Sequence, residues 1–218
     1  MNTLLQNKNT IIIPSHQKQI IFHDASKTTE YIVEENAELN LFDIVVGEKE
    51  YKSTAHIILK GKNASVQLYG MFFASTDEVF EMNHLVEHQA SHTTSKIMTR
   101  GALGGKAKAS YTGRILIAKG MAGCSGNQEA RTLLLSRDAH VDMVPHLEIG
   151  NNDVQCSHSV SVSYIDELKK FYLESRGVGE SDVVQTIVSG HFDEMIQRIP
   201  DKKRQKKFVT AIEQYVKV

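Results

Sequence analysis

The chain has 218 residues, with 25 basic and 26 acidic side chains, two cysteines and ten histidines. This near-neutral charge argues against binding nucleic acid or anionic membranes through bulk electrostatics. Two cysteines exclude a four-thiolate zinc or iron–sulfur site held within one chain. The sequence contains no apolar run of membrane-spanning length and no signal-peptide pattern, so we expect a cytoplasmic protein.

The chain before residue 165 reads as short strands, rich in β-branched and aromatic residues and separated by Asn, Asp, Gly, Ser or Lys. Asn-Gly and Asp-Gly hairpin turns are absent, and no helical apolar period persists. This favours a parallel β-solenoid, with a β-sandwich as the alternative on pattern alone. The predicted strands cover residues 11–13, 18–22, 30–33, 39–46, 55–59, 64–73, 79–86, 107–112, 113–118, 131–135, 141–144 and 154–162.

A helical pattern replaces the strands near residue 165. The apolar residues with helical spacing there are Ile165, Leu168, Phe171 and Tyr172. Gly177 suits the position just after this helix, and Ser181 is predicted to be the N-cap of the next one. A third helix is predicted over residues 202–218, which is basic at its start. We therefore expect a β domain over residues 1–164 and a small helical domain over residues 165–218.

Several histidines cluster between residues 78 and 92. On a strand, His84, His88 and His92 would leave one face, with neighbours roughly 13 Å apart. One metal ion with ligands at about 2 Å cannot bridge that gap. We expect these imidazoles to form hydrogen bonds inside the β domain or at its edge. A functional role stays open if another coil or subunit brings a further ligand.

Cys156 and His158 form a second candidate site. Two residues apart on a strand, they leave the same face, with roughly 6.5 Å between their Cα atoms. A thiolate and an imidazole this close suit a soft or borderline metal ion, and the histidine could also lower the cysteine pKa. The remaining ligands would come from a neighbouring coil, a second subunit or the bound species. The alternative is a purely structural pair.

Other catalytic patterns are weak. Cys124 lies in a glycine-rich segment and is predicted to be incidental. The sequence has neither a Gly-x-Ser-x-Gly elbow nor a Walker loop. The residues therefore indicate no active site that could run a reaction by itself.

Short motifs follow one another in the second half of the chain. They are Leu-Leu-Leu-Ser at 133–136, Pro-His-Leu-Glu-Ile at 145–149, Asp-Val-Gln-Cys-Ser-His at 153–158, Ile-Asp at 165–166 and Phe-Tyr-Leu-Glu-Ser-Arg-Gly at 171–177. In this order and spacing they resemble the SufB/SufD family of iron–sulfur cluster assembly proteins. Residues 95–101 and 111–115, with Gln128, look like further family positions. The resemblance covers roughly residues 80–195.

The resemblance implies a mainly β protein, with a right-handed parallel β-helix followed by a small C-terminal helical domain. Family members are scaffolds without turnover of their own, and they build transient clusters where two β-helices pair. For this chain the partner would be a second copy or a SufB-like paralogue. The helical tails of the family dock a SufC-like ABC ATPase.

The family's functional positions map onto named residues of this chain. His158 falls on the interface histidine of the SufD branch, and Cys156 falls on the cysteine two residues before it. Together they would hold transient iron or a nascent iron–sulfur cluster. Phe171, Tyr172 and Arg176 belong to the tail beside the ATPase dock.

The chain also departs from the family pattern. Ala139 stands where the SufB branch has its interface cysteine, which implies a SufD-like role or a divergent scaffold. Ser159 and Ser163 replace the glycines usual after the histidine. The long N-terminal helical region of typical members is missing, so a pared-down member is expected. The alternatives are a structural adaptor for the ATPase without cluster chemistry and, less favoured, a β-helix enzyme that cleaves polysaccharides.

Overall fold

The computed structural model describes residues 9–24 and 28–216, and it confirms a parallel β-solenoid followed by helices. Within these residues the strands are β1 (Asn9–Ile13), β2 (Lys18–Phe22), β3 (Thr29–Val33), β4 (Glu38–Val46), β5 (Glu50–Leu59), β6 (Ser65–Ala74), β7 (Val79–His88), β8 (Thr94–Leu103), β9 (Lys108–Ile117), β10 (Cys124–Leu134), β11 (His140–Ile149) and β12 (Val154–Tyr164). Odd-numbered strands form one six-stranded sheet and even-numbered strands form the other. All strand pairs are parallel, which excludes the antiparallel sandwich.

The core lies between the two sheets, where alternate residues of each strand point inward. Because paired strands are parallel and in register, equivalent positions stack directly above one another. Ile57, Val86 and Ile115 form one such row on β5, β7 and β9, and all three are fully buried. Each fully buried side chain of this kind contributes about 1.5–3 kcal/mol relative to an exposed one. Successive coils are therefore held together by apolar rows.

Two stretches of strand escape the sequence pattern because their inward rows are not apolar. β8 is absent from the predicted strands, and it points Ser95 and Thr99 into the interior. β10 begins seven residues before the predicted start at 131, since Gly126 and Gln128 interrupt its apolar alternation. An inward-facing polar residue or glycine therefore makes a strand resemble a loop when only the local sequence is considered.

β9 is one continuous strand, although the sequence predicts two strands that meet at Gly113. Gly113 stays in the ladder, paired with His84 of β7 and with Pro145 of β11. A side chain could not replace its hydrogen atom, because a Cβ there would lie 2.0 Å from Nε2 of Gln128. The glycine marks a close approach between the sheets, and the strand does not break there.

The tail contains the helices α1 (Glu167–Ser175), α2 (Glu180–Arg198) and α3 (Lys202–Val216). Asp166 caps α1 by accepting a hydrogen bond from the backbone of Leu168 at 2.9 Å, and Gly177 follows the helix with φ 85° as predicted. The prediction of Ser181 as the N-cap of α2 is wrong. Gly179 occupies that position, and its carbonyl accepts the first helical bond from Val183. Residues 217–218 of the predicted third helix lie outside the described residues.

Two of the tail helices pack on the outer face of the even-numbered sheet. Phe192 of α2 and Phe208 of α3 meet edge to face, with ring centroids 5.0 Å apart. Both are fully buried in a cluster with Tyr69 of β6 and Met98 of β8. α1, by contrast, buries none of its residues. No helix in the described part of the chain is long and apolar enough to cross a membrane.

Candidate functional site

The last coil leaves one end of the solenoid open. Among the described residues, β11 pairs with β9 alone and β12 with β10 alone. The inward-facing residues of these two strands therefore have no further coil above them. Large apolar side chains exposed here are Ile149, Val160, Val162 and Tyr164. These four residues are called the end face below.

Cys156 and His158 lie on the same face of β12, next to the end face. In register, Cys156 stacks on Gly126 and His158 stacks on Gln128, both of which are buried in β10. Cys156 is half-buried and packs with Val154 against the core, whereas His158 is exposed. Cys156 and His158 are thus the last members of two stacks of inward-facing residues, at the end of the solenoid.

The Cys156 thiol is not activated by its surroundings. Burial raises its pKa, an effect that the backbone of Gly126 partly offsets and the neighbouring Cys124 reinforces. The expectation that histidine lowers this pKa is therefore wrong, because the net shift is upward and His158 is not among its causes. A protonated thiol is a weak nucleophile, and a metal ion must displace its proton.

One chain supplies too few ligands for a closed metal site. No group of three or more His, Cys, Asp or Glu residues in the described part of the protein could hold a metal ion. Cys156 and His158 provide two donors, whereas a tetrahedral site needs four. Anything bound here takes its other ligands from a second molecule or carries them itself.

Cys124 lies inside the core below Val154. It is 1% exposed, and its sulfur lies 3.3 Å from the Thr93 hydroxyl and 3.4 Å from the carbonyl of Ala90. These contacts give the buried Cys124 thiol hydrogen-bond partners, which accounts for its presence in the core.

His84 and His88 form buried hydrogen bonds, as the sequence suggested. His84 Nε2 lies 2.9 Å from Asp43 Oδ2, and Tyr51 and Ser53 also donate to this carboxylate. His88 Nδ1 and Nε2 each lie 2.8 Å from a hydroxyl, those of Thr93 and Ser95. Burial lowers the pKa of His88 to about 4.

His92 does not continue this row. β7 ends at His88, and His92 lies exposed in the following turn with φ 59°. Its backbone N–H donates to the carbonyl of Ala122 at 2.9 Å, which ties the turn to the next coil. The sequence predicted all three histidines on one face of a single strand. This holds for His84 and His88, but the strand ends before His92.

A polar layer lies beneath His158 that the sequence pattern did not identify as part of a site. Thr99, Tyr111 and Gln128 are 0–1% exposed, and their side-chain polar atoms lack hydrogen-bond partners of good geometry among the described residues. Burial raises the pKa of Tyr111, an effect that the nearby Thr99 hydroxyl partly offsets. Gln128 was recognisable as a family position. Its inward orientation was missed because the predicted strand began at residue 131. A strand that begins at Cys124 places Gln128 on the inward face.

The tail residues singled out in the sequence lie together on the surface of α1. Phe171 is 68% exposed and Tyr172 57%, and the Arg176 guanidinium lies over the Tyr172 ring at 5.3 Å from its centroid. Leu168, 78% exposed, and Tyr172 line a shallow groove of about 370 Å³ against Ile187 of α2. A helix that exposes three large apolar residues is a candidate docking surface.

A parallel β-solenoid with a helical tail and an open, thiol-bearing end defines the chain's structural class. The family model described as SUF system FeS cluster assembly, SufBD core domain, matches residues 16–191. The chain therefore belongs to the SufBD family of iron–sulfur cluster assembly proteins.

Curated relatives agree with the family match. The chain is 28% identical over 186 residues to an iron–sulfur cluster assembly SufBD family protein of Mycobacterium leprae, covering 82% of this chain and 47% of the relative. It is 27% identical over 173 residues to such proteins of Staphylococcus epidermidis and Staphylococcus aureus, covering 79% of this chain and 37% of each relative. The chain thus spans less than half the length of these relatives.

Proposed function

We propose that this chain is a cytoplasmic scaffold component of a SUF complex, without turnover of its own. It holds iron or a nascent iron–sulfur cluster, the cargo of the system, transiently at the open end of its solenoid. The observation that carries this proposal is the placement of Cys156 and His158 on one face of the terminal strand, beside an exposed apolar surface. A thiolate and an imidazole are ligands that iron and iron–sulfur clusters accept.

The end face supports pairing with a second copy or with a SufB-like paralogue. Contiguous exposed apolar residues of this kind mark interaction surfaces. Two copies meeting there would bring two Cys156–His158 pairs together and supply the four ligands that one chain lacks. Ala139, which stands at the SufB cysteine position, is 5% exposed and adds no thiol. In a self-pair, Cys156 is therefore the thiol available at this surface.

The exposed apolar side of α1 supports docking of a SufC-like ABC ATPase. α2 and α3 are occupied by packing on the β-solenoid, whereas Phe171 and Tyr172 of α1 pack against nothing in the described chain that buries them. Burial of such aromatic side chains dominates the affinity of many interfaces.

Anaerobic reconstitution with ferrous iron and sulfide tests the scaffold role. The wild type is expected to retain iron after desalting, while Cys156→Ala and His158→Ala each lose most of it. Cys124→Ala is the matched control, because it removes a buried thiol that the end face does not present, and it should retain the wild-type amount. Equal iron retention in the wild type and both site variants would refute the assignment of this site.

A structural adaptor is the second candidate function. The raised pKa of Cys156 and the missing thiol at Ala139 favour it, because both weaken metal binding. An adaptor binds the ATPase normally but takes up no iron in the wild type, so the reconstitution and a binding assay together separate the two functions.

A further inference from the structure

Gln128 is a fully buried amide with both side-chain polar atoms lacking partners among the described residues. Leaving such a group without hydrogen bonds in the core costs free energy, so a partner is expected within reach. The amide has two donor hydrogens and one acceptor oxygen.

The surroundings of Gln128 on its own coil and the coil below account for one end of the amide. A point at the Cβ position of Gly113 lies 2.0 Å from Gln128 Nε2 and 2.6 Å from the Tyr111 hydroxyl oxygen, so both atoms lie beside this glycine. The hydroxyl of Tyr111 also lacks a partner of good geometry among the described residues, with the Thr99 hydroxyl nearby. His84 lies one coil lower, beneath Gly113, with Nδ1 unpartnered as well. The amide nitrogen thus lies on the side of this lower polar group, and the amide oxygen is the atom left for the coil above.

The coil above offers one polar side chain at this position. His158 stacks directly on Gln128 in the parallel ladder, and Pro145 stacks on Gly113. Adjacent strands lie about 4.8 Å apart, and stacked inward side chains leave the same face. Along β10 the inward neighbours of Gln128 are Gly126 and Ala130, which carry no polar side-chain atoms.

We propose that Gln128 is a positioning residue for His158. Its Oε1 accepts a hydrogen bond from a bridging water, which in turn accepts one from the inward ring nitrogen of His158, while its Nε2 lies on the Gly113 side. This places the ring proton on the inward nitrogen and leaves the lone pair of the other nitrogen pointing out of the end face, where a ligand binds. Hydrogen bonding of the remote nitrogen sets the tautomer of a ligating histidine in this way. The proposal rests on the function proposed for His158, but its test needs no iron.

The tautomer of His158 in the metal-free protein is the measurement. Long-range ¹H–¹⁵N correlation spectra of selectively labelled protein, recorded at a pH where the ring is neutral, report the two tautomers directly. Near-isosteric Gln128→Met removes the acceptor, and the tautomer ratio is expected to change roughly three- to tenfold. Gln128→Glu keeps an acceptor at the same reach and should hold the ring proton on the inward nitrogen at least as strongly as the wild type. Thr132→Val is the control, a polar-to-apolar change on the same inward face of β10 but beneath Val162.

A wild-type tautomer ratio in folded Gln128→Met would overturn the proposal, as would an equal change in Thr132→Val. If Gln128→Met does not fold, Gln128→Asn gives the same comparison, since it withdraws the amide by one methylene and should also shift the ratio. If the wild type retains no iron but the His158 tautomer depends on Gln128, the scaffold function alone is refuted. If iron binding depends on Cys156 and His158 as expected but the His158 tautomer does not depend on Gln128, this inference alone is refuted.

Discussion

His84 and Asp43 form an ion pair inside the solenoid, with 2.9 Å between Nε2 and Oδ2 and no exposed surface on either side chain. Burial alone would raise the pKa of Asp43, but the hydrogen bond and the charge of His84 outweigh it and hold that pKa below its ordinary value. The carboxylate therefore depends on its histidine.

Replacing His84 with alanine should leave the Asp43 carboxylate buried without its main partner. The free energy of unfolding, measured in urea, is expected to fall by about 3–5 kcal/mol. His56→Ala is the comparison, because His56 bridges Glu30 and Glu87 near the surface at 3.4 and 2.9 Å. That change should cost about 1 kcal/mol or less. Equal costs for the two variants would contradict the importance of the buried pair.

His88 should make the protein less stable in mild acid. Its pKa is about 4 when folded, against 6.5 for an unperturbed histidine, so between these values the unfolded chain binds a proton that the fold excludes. Its stabilising contribution is complete above pH 6.5 and falls towards pH 4, by about 1.4 kcal/mol per pH unit. His191, whose pKa burial and Arg100 also lower to about 4, acts in the same direction.

His88→Gln removes this titration and should reduce the slope of unfolding free energy against pH by about 1.4 kcal/mol per unit between pH 6 and 4.5. Urea titrations at several pH values give both slopes. An unchanged slope would mean that His88 is protonated in the folded protein.

Truncating two phenylalanines of the tail should change the stability of the protein to very different extents. Phe192 is fully buried between the sheet and α3, so Phe192→Ala is expected to cost about 3–5 kcal/mol of stability. Phe171 is 68% exposed, and Phe171→Ala should change stability by no more than about 0.5 kcal/mol. Comparable losses in chemical denaturation would show that α1 packs against the body of the protein.

The same surface helix should govern ATPase binding. Phe171→Ala combined with Tyr172→Ala is expected to weaken binding of a SufC-like ATPase by more than about tenfold, without loss of the fold. Glu174→Ala on the same helix is the matched control and should bind normally. Calorimetry or surface plasmon resonance measures the affinities, and wild-type affinity in the double variant would refute docking through α1. Deleting the whole tail is a poorer test, because it uncovers the apolar sheet around Tyr69 and Met98.

Local pattern was sufficient wherever the inward row of a strand is apolar. The alternation in β6 and β7 predicted those strands, and Gly177 correctly marked the end of α1. The spacing of Cys156 and His158 placed both on one face, and both lie on the continuous strand β12 above two inward residues of β10. These features depend on neighbours within a few residues, and a sequence carries that information directly.

The polar interior could not be predicted because it depends on register between distant coils. Asp43 meets His84 across 41 residues, and Gln128 meets Gly113 across the solenoid. Coil length varies along this chain, so no fixed period reveals which residues stack. Ser95 and Gln128 look like loop residues until the coil above and the coil below are in place.

The open end of the solenoid also has a consequence for symmetry. At the opposite end of the described chain, the core-facing residues of β1 and β2 include Ile11, Ile13 and Ile21, and neither strand contains a cysteine or a histidine. The two ends are therefore chemically different surfaces. Stacking one kind of end on the other would repeat without closing and would build a filament. Two C-terminal ends meeting about a two-fold axis use the same surface twice and close after two copies. The cargo would then lie on the axis itself, with one site for each pair of chains and an equal share of its ligands from each.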